Sequence, residues 1–165
     1  MPEMQPILDS ACAWFFDSAS HELGGALLIR LVEGLKGTDR QFVDVGETKL
    51  GPYFPVQVGA RSRCVQVAFQ GVLAFFAYNE SYDAPDPELE KGAGRFLFGV
   101  ESSSFRKFAE ASTSVTQLHQ GPYQEFLLRC EDRIFQILSV GAPEVVLLEE
   151  VPDLTVQRAN IWSAS

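Results

Sequence analysis

The stretch YNESYDAPDPE, residues 78–88, closes an apolar run with groups that could do chemistry. In an extended chain alternate residues share a face, so Tyr78, Glu80 and Tyr82 would point one way and Asn79 and Ser81 the other. That places one carboxylate between two phenols. Hydrogen bonds from the phenols would favour the charged form of Glu80, and burial would oppose it. A polar pocket for a small ligand is one reading of this set. The same residue types also end strands, because Asn and Ser side chains bond to their own backbone. Both readings stand at this point.

His21 and Glu22 follow Asp17-Ser18-Ala19-Ser20, which together hold the residue types of a nucleophile, a base and an orienting acid. Catalytic triads are assembled from distant segments, however, and no G-x-S-x-G elbow occurs. No catalytic set is therefore assigned, and enzymatic activity is left open. His21 and Glu22 join Tyr78, Glu80 and Tyr82 as ligand-binding candidates. His119, before Gln120-Gly121-Pro122, reads as part of an exposed turn.

Asp83, Asp86, Glu88 and Glu90 put oxygen donors close together, as calcium loops do. Their spacing is not that of an EF-hand, and Pro85 and Pro87 each remove a backbone donor. The expectation is a solvated acidic loop between strands, with no metal. Cys12, Cys64 and Cys130 are too far apart for C-x-x-C zinc spacing and suit a reducing compartment. Gly92-Ala93-Gly94 lacks the third glycine and the helix of a dinucleotide site, and no Walker lysine follows Gly24-Gly25. No cofactor is implied.

Positioning these groups falls to a chain of 165 residues, a length that fits one domain over 1–165. Its 22 acids against 13 Lys and Arg give a net charge of −9, which argues against nucleic acid and anionic membrane as partners. The N-terminus lacks a basic region before its apolar residues, and no run is long enough to span a bilayer, so a cytoplasmic location is expected.

Glycine and proline recur often enough to favour many short elements. Residues 9–17 read as a short helix or an edge segment plugging the core. Residues 24–37 carry a helical spacing of leucines, but bracketing glycines and the interior Gly34 favour a strand. Residues 38–64 read as a loop with strand pieces near 42–45 and 55–58. Val65, Val67 and Phe69 alternate with Gln66, Ala68 and Gln70, a strand period. Val72 to Tyr78 is continuously apolar, as in a strand buried on both faces. A strand over 94–101 and a helix over 102–112, with Phe105, Phe108 and Ala109 on one face, come next. Residues 122–140 form a hairpin turning at Glu131-Asp132, and 144–148 add a strand. Trp162 is expected to pack back on the body. The thirteen phenylalanines imply a ring-rich core that includes Phe75, Phe76, Phe105 and Phe108. The fold class is α+β, predominantly antiparallel β-sheet with one or two short helices.

The segments VQVAFQGVLAFFAYNESY (65–82), SSSFRKFAEAST (102–113) and GPYQEFLLRCEDRIFQILSVGAPEV (121–145) resemble an uncharacterised group of bacterial hypothetical proteins. The shared features are NESY at a strand end, a serine-led helix start and a hairpin followed by APEV. The resemblance covers about half the chain and carries no catalytic residues with it. It implies a cytoplasmic bacterial protein that serves by binding another protein.

The function expected first is a non-enzymatic protein-binding module. Net charge favours a basic protein as partner, and an immunity-type inhibitor of a secreted toxin is one concrete case. The alternative is a small-molecule binder, or an unrecognised enzyme, with a pocket near Tyr78, Glu80 and Tyr82. A homodimer pairing exposed strand edges is a third reading.

Overall fold

The computed structural model describes residues 6–156. The chain begins with a short helix, α1 (Pro6–Asp9), and then runs β1 (Ala13–His21), β2 (Leu27–Lys36), β3 (Gln41–Val45), β4 (Thr48–Tyr53), β5 (Val56–Gln57), β6 (Cys64–Phe69) and β7 (Val72–Asn79). A 3-10 turn at Glu80–Tyr82 precedes β8 (Glu90–Lys91) and β9 (Leu97–Ser102). Two helices, α2 (Ser104–Ser112) and α3 (Val115–Leu118), lead to β10 (Gln124–Arg129), β11 (Arg133–Ser139) and β12 (Glu144–Leu148). The architecture is mostly antiparallel sheet with three short helices among the described residues. None of these helices is long and apolar enough to cross a membrane. Trp162 lies outside the described residues.

The strands form two main sheets. The first has the order β1-β2-β6-β12, with β5 added to the end of β2. The second has the order β7-β11-β10-β9-β8. Each buries one face against the other, because alternate side chains of both are apolar. Leu27, Ile29, Leu31, Val65, Val67 and Phe69 of the first sheet share a core with Phe126, Leu128, Phe135 and Ile137 of the second. Ring contacts bridge the layers, with Phe69 to Phe126 at 5.8 Å and Phe16 to Phe135 at 5.5 Å between centroids. Gly71, with φ +61°, makes the turn from β6 in one sheet to β7 in the other.

Strand β2 explains the glycine inside its apolar run. It pairs with β1 and β6, and with β5 at its end. A Cβ on Gly34 would stand 2.6 Å from Val56 Cγ1 and 2.7 Å from Phe15 Cε2. The glycine allows that close approach, and the helical leucine spacing is overridden by pairing on both sides. Residues 9–17, expected as a helix or an edge plug, divide between the end of α1 and the edge strand β1. The segment expected as a loop over 38–64 also holds β4, which pairs with β3 in an exposed two-stranded ribbon.

Two expectations are corrected. Strand β7 is not buried on both faces. It is the edge of the second sheet, and Phe75 and Phe76 are 39% and 51% exposed. Its apolar run serves the core on one face and a surface cleft on the other. Phe108 likewise does not join the core, being 67% exposed on α2, and Phe105 is half-buried.

One ion pair ties the first sheet together at its end. Glu33 of β2 is nearly buried, and its carboxylate accepts from Arg63 Nε at 2.8 Å, from Arg63 Nη2 at 2.7 Å and from the Arg63 backbone N–H at 3.2 Å. These bonds outweigh burial and hold Glu33 below the usual carboxylate range. The guanidinium also lies over Trp14 at 5.7 Å and donates to Ser10 Oγ at 3.0 Å. Arg63→Ala is therefore expected to lower unfolding stability by about 2–3 kcal/mol, because it strands a nearly buried carboxylate. Urea denaturation at neutral pH measures this. A loss under about 0.5 kcal/mol would mean that the pair is no better than a surface salt bridge.

A cleft on the outer face of the second sheet

Strand alternation fixes which residues of the second sheet face away from the core. In β10, Phe126 and Leu128 point inward, so Glu125, Leu127 and Arg129 point outward. Register carries that face across the sheet, with Leu127 opposite Gln136 and Gln136 opposite Phe76. Two segments stand over this face: helix α2 and the chain from Tyr82 to Leu89. Between them lies a cleft of about 870 Å³, floored by Phe76, Tyr78, Leu127, Arg129 and Gln136 and walled by Phe105 and Phe108 on one side.

Carboxylates hold the walls in place. Asp83 Oδ1 accepts from the Tyr78 hydroxyl at 2.7 Å, and Oδ2 accepts from Arg129 Nη2 at 2.7 Å. Burial pushes the Asp83 carboxyl up, but the Tyr78 and Arg129 hydrogen bonds and the guanidinium charge outweigh it, so its pKa is lowered. The Tyr78 phenol is pushed up to about 12, by burial first and then by its bond to Asp83. It stays a hydrogen-bond donor throughout the physiological range. Asp86 binds the start of α2, accepting from the Ser104 N–H at 2.8 Å and the Ser104 hydroxyl at 2.6 Å. It also accepts from the Glu88 N–H at 3.0 Å, and Glu88 pairs with Lys107. The acidic segment expected to be a solvated excursion is thus fastened to both the sheet and the helix.

Beneath α2 a second carboxyl is wholly enclosed. Glu125 is fully buried, and Ser103 Oγ stands 2.7 and 2.8 Å from its two oxygens. The Ser103 oxygen in turn caps α2 by accepting from the Arg106 N–H at 2.9 Å. Burial pushes Glu125 up, and the Ser103 bond only partly offsets it.

The residues singled out in the sequence divide between several places. Tyr78 and Tyr82 both line the cleft. Glu80 does not, because the strand stops at Asn79. The Asn79 Oδ1 accepts from the Ser81 N–H at 2.9 Å, and the 3-10 turn replaces the strand period that would have aligned Tyr78, Glu80 and Tyr82. Glu80 instead borders a shallower hollow with Ser81, Asp83, Ala84 and Pro85. His21 sits at the end of β1, with its ring edge-on to Phe75 at 5.3 Å, and Glu22 is exposed in the turn after it. Neither lines the cleft. His119 is half-buried against the Tyr123 ring at 5.7 Å and is not freely exposed.

Asp83, Arg129, Phe76, Phe105 and Phe108 were not read as site residues. Arg129 was available from the sequence. Alternation in the 122–140 hairpin sets it on the face opposite Phe126 and Leu128. Among the described residues no three His, Cys, Asp or Glu side chains are grouped to hold a metal ion. Cys64 and Cys130 are buried and in no disulfide, and Cys12 is exposed. Burial pushes the Cys130 thiol well up, away from the reactive thiolate.

Comparisons of the chain with family models, curated proteins and solved structures return no match.

The two carboxyls predict opposite pH behaviour. A group with a lowered folded pKa adds stability above its ordinary value, 3.8 for Asp83, and loses it as pH falls through the folded value. Asp83→Asn should therefore be less stable than wild type at neutral pH, by about 1–2 kcal/mol, with the gap closing in strong acid. Glu125 has a raised folded pKa. Its contribution is most favourable below the ordinary 4.5 and shrinks as pH rises through the folded value. Glu125→Gln should then gain on wild type as pH rises and be more stable at neutral pH, by about 1 kcal/mol. Denaturation curves across the acid range test both. A Glu125→Gln variant that loses stability at neutral pH would show the ionised carboxylate to be well satisfied.

Proposed function

We propose that the chain binds a small ligand with a largely apolar body in the cleft between α2, the 82–89 segment and the outer face of the second sheet. The observation that carries this reading is the combination of size and lining. A cleft of about 870 Å³ lies in the range of small-molecule sites. Apolar and aromatic groups make most of its surface, with one ordered polar cluster, Tyr78–Asp83–Arg129, at an end. Phe76 and Phe108 remain about half exposed or more, although each could be covered by a ligand of modest size. The reading is of binding, with no reaction assigned.

The experiment is a titration with a neutral, apolar fluorescent probe such as N-phenyl-1-naphthylamine. Wild type should show saturable enhancement at one site. Ala74→Trp places bulk on the β7 side of the cleft and should abolish it. Phe108→Ala removes an exposed ring, leaves folding largely unaffected and should weaken binding about tenfold, equivalent to ~1.4 kcal/mol. Absence of saturable binding in wild type, or binding unchanged in Ala74→Trp, would overturn the reading.

A second reading, a protein-binding module, draws on the β3–β4 ribbon. Phe42, Val43, Val45 and Tyr53 are each at least half exposed there. The chain's net charge of −9 favours a basic partner, and an immunity-type inhibitor remains the concrete case. A pulldown washed at low and high salt tests it, and no protein retained at low salt would remove it.

A further inference from the structure

Several partly exposed rings of the chain are covered by its own cations. Lys36 lies 4.8 Å from the Phe54 centroid and Arg133 4.9 Å from Phe16. Lys49 does the same for Phe42 at 5.5 Å. Among the described residues no Lys or Arg stands over Phe76, Tyr78, Tyr82, Phe105 or Phe108, although Arg129 lies in the same cleft. That guanidinium is drawn to Asp83.

Charge in the cleft leans the same way. Its lining holds two carboxylates, Asp83 and Asp86, against the single guanidinium of Arg129. Both carboxylates have lowered pKa values, so they are ionised at neutral pH. Glu80 lies just before this segment and borders the neighbouring hollow, Glu88 is paired with Lys107, and the whole chain carries −9. A negative rim and a negative molecule raise the local concentration of cations. Aromatic faces attract a cation through the ring quadrupole without needing a hydrogen bond. That matters here, because the oxygens of Asp83 and Asp86 already accept from Tyr78, Arg129, Ser104 and Glu88. A primary amine would have to compete for those acceptors, and a fully alkylated ammonium would not. Phe76 stands between two of the rings, with Tyr78 at 5.0 Å and Phe105 at 6.4 Å, and so starts an aromatic wall.

We infer that the ligand is a small organic cation: a quaternary or methylated ammonium on an apolar body, its head against Phe76, Tyr78, Phe105 and Phe108 and its charge balanced by Asp83 and Asp86. This rests on the cleft being a small-ligand site, as proposed above.

The test compares three probes by ligand-observed NMR and by displacement of the fluorescent probe, at concentrations below the hydrocarbon's solubility limit: benzyltrimethylammonium, its neutral carbon isostere neopentylbenzene, and phenylmethanesulfonate. The cation should bind about tenfold more tightly than the isostere. That advantage should shrink as salt rises. The sulfonate should be the weakest of the three. Phe76→Ala and Phe108→Ala should each weaken the cation more than the isostere, and so remove most of the cation's advantage. Equal binding of cation and isostere would overturn the inference and leave the apolar cleft standing. Tightest binding by the sulfonate would also overturn it, with Arg129 as the group that selects the head. Failure of all three, together with failure of the neutral fluorescent probe, would remove the cleft reading itself. Sedimentation with phosphatidylcholine vesicles is the arm for the same head group on a lipid. Retention there, without binding of the free cation, would overturn the assignment to a small soluble ligand.

Discussion

A sheet with two apolar faces needs two covers, and the second sheet of this chain has only one complete cover. Its inner face is closed by the first sheet through Phe69, Val67 and Ile29 against Phe126, Leu128 and Ile137. Its outer face is about 20 Å across at ordinary strand spacing. Helix α2 is one helix, about 10 Å wide with its side chains. It encloses Glu125 of β10 and reaches Phe76 of β7 through Phe105, while the proline-containing loop covers another part of the face through Leu89, packed against Phe98, Val100 and Leu127. The cleft is the width that remains. Its existence follows from the mismatch between sheet and helix.

Such a gap would close if the loop could lie down on the sheet. Carboxylates keep the loop at a set height. Asp83 stands on Tyr78 and Arg129, and Asp86 is bound to the first turn of α2. Pro85 and Pro87 restrict the backbone between and beside them. The loop therefore braces one wall against the other. The result is a half-open apolar space with charged groups at its rim, and the rings inside it stay wet. Wet rings are unfavourable by the same physics that fills the core, so an occupant that dries them gains binding free energy.

How much of this could be read from the residues varies along the chain. The 122–140 hairpin, the 144–148 strand and the 102–112 helix were legible because local pattern and tertiary role agree there. The charged Glu131-Asp132 turn between two apolar arms and the serines at the helix start both match what the structure uses. Strand β2 was legible through its glycines against its leucines. The edge position of β7 was not, because a continuous apolar run is the same whether its second face meets a sheet or an open cleft. The ribbon's second strand was hidden by Gly51 and Pro52, which read as loop. At the site, Tyr78 and Tyr82 were visible as aromatic residues at a strand end. Their geometry was not, since the Asn79 turn changes the period under Glu80. Asp83–Arg129 joins residues 46 apart, and no local pattern marks a pairing of that kind.

The central claim is that the outer-face cleft is open in the free protein, with Phe76 and Phe108 in contact with water. Incorporating 4-fluorophenylalanine and recording fluorine NMR with a neutral nitroxide in solution measures this ring by ring. The account predicts strong relaxation of the Phe76 and Phe108 signals and almost none for Phe126 between the sheets. If Phe76 and Phe108 prove as protected as Phe126, the helix and loop have closed on the sheet, and the site described here does not exist in solution.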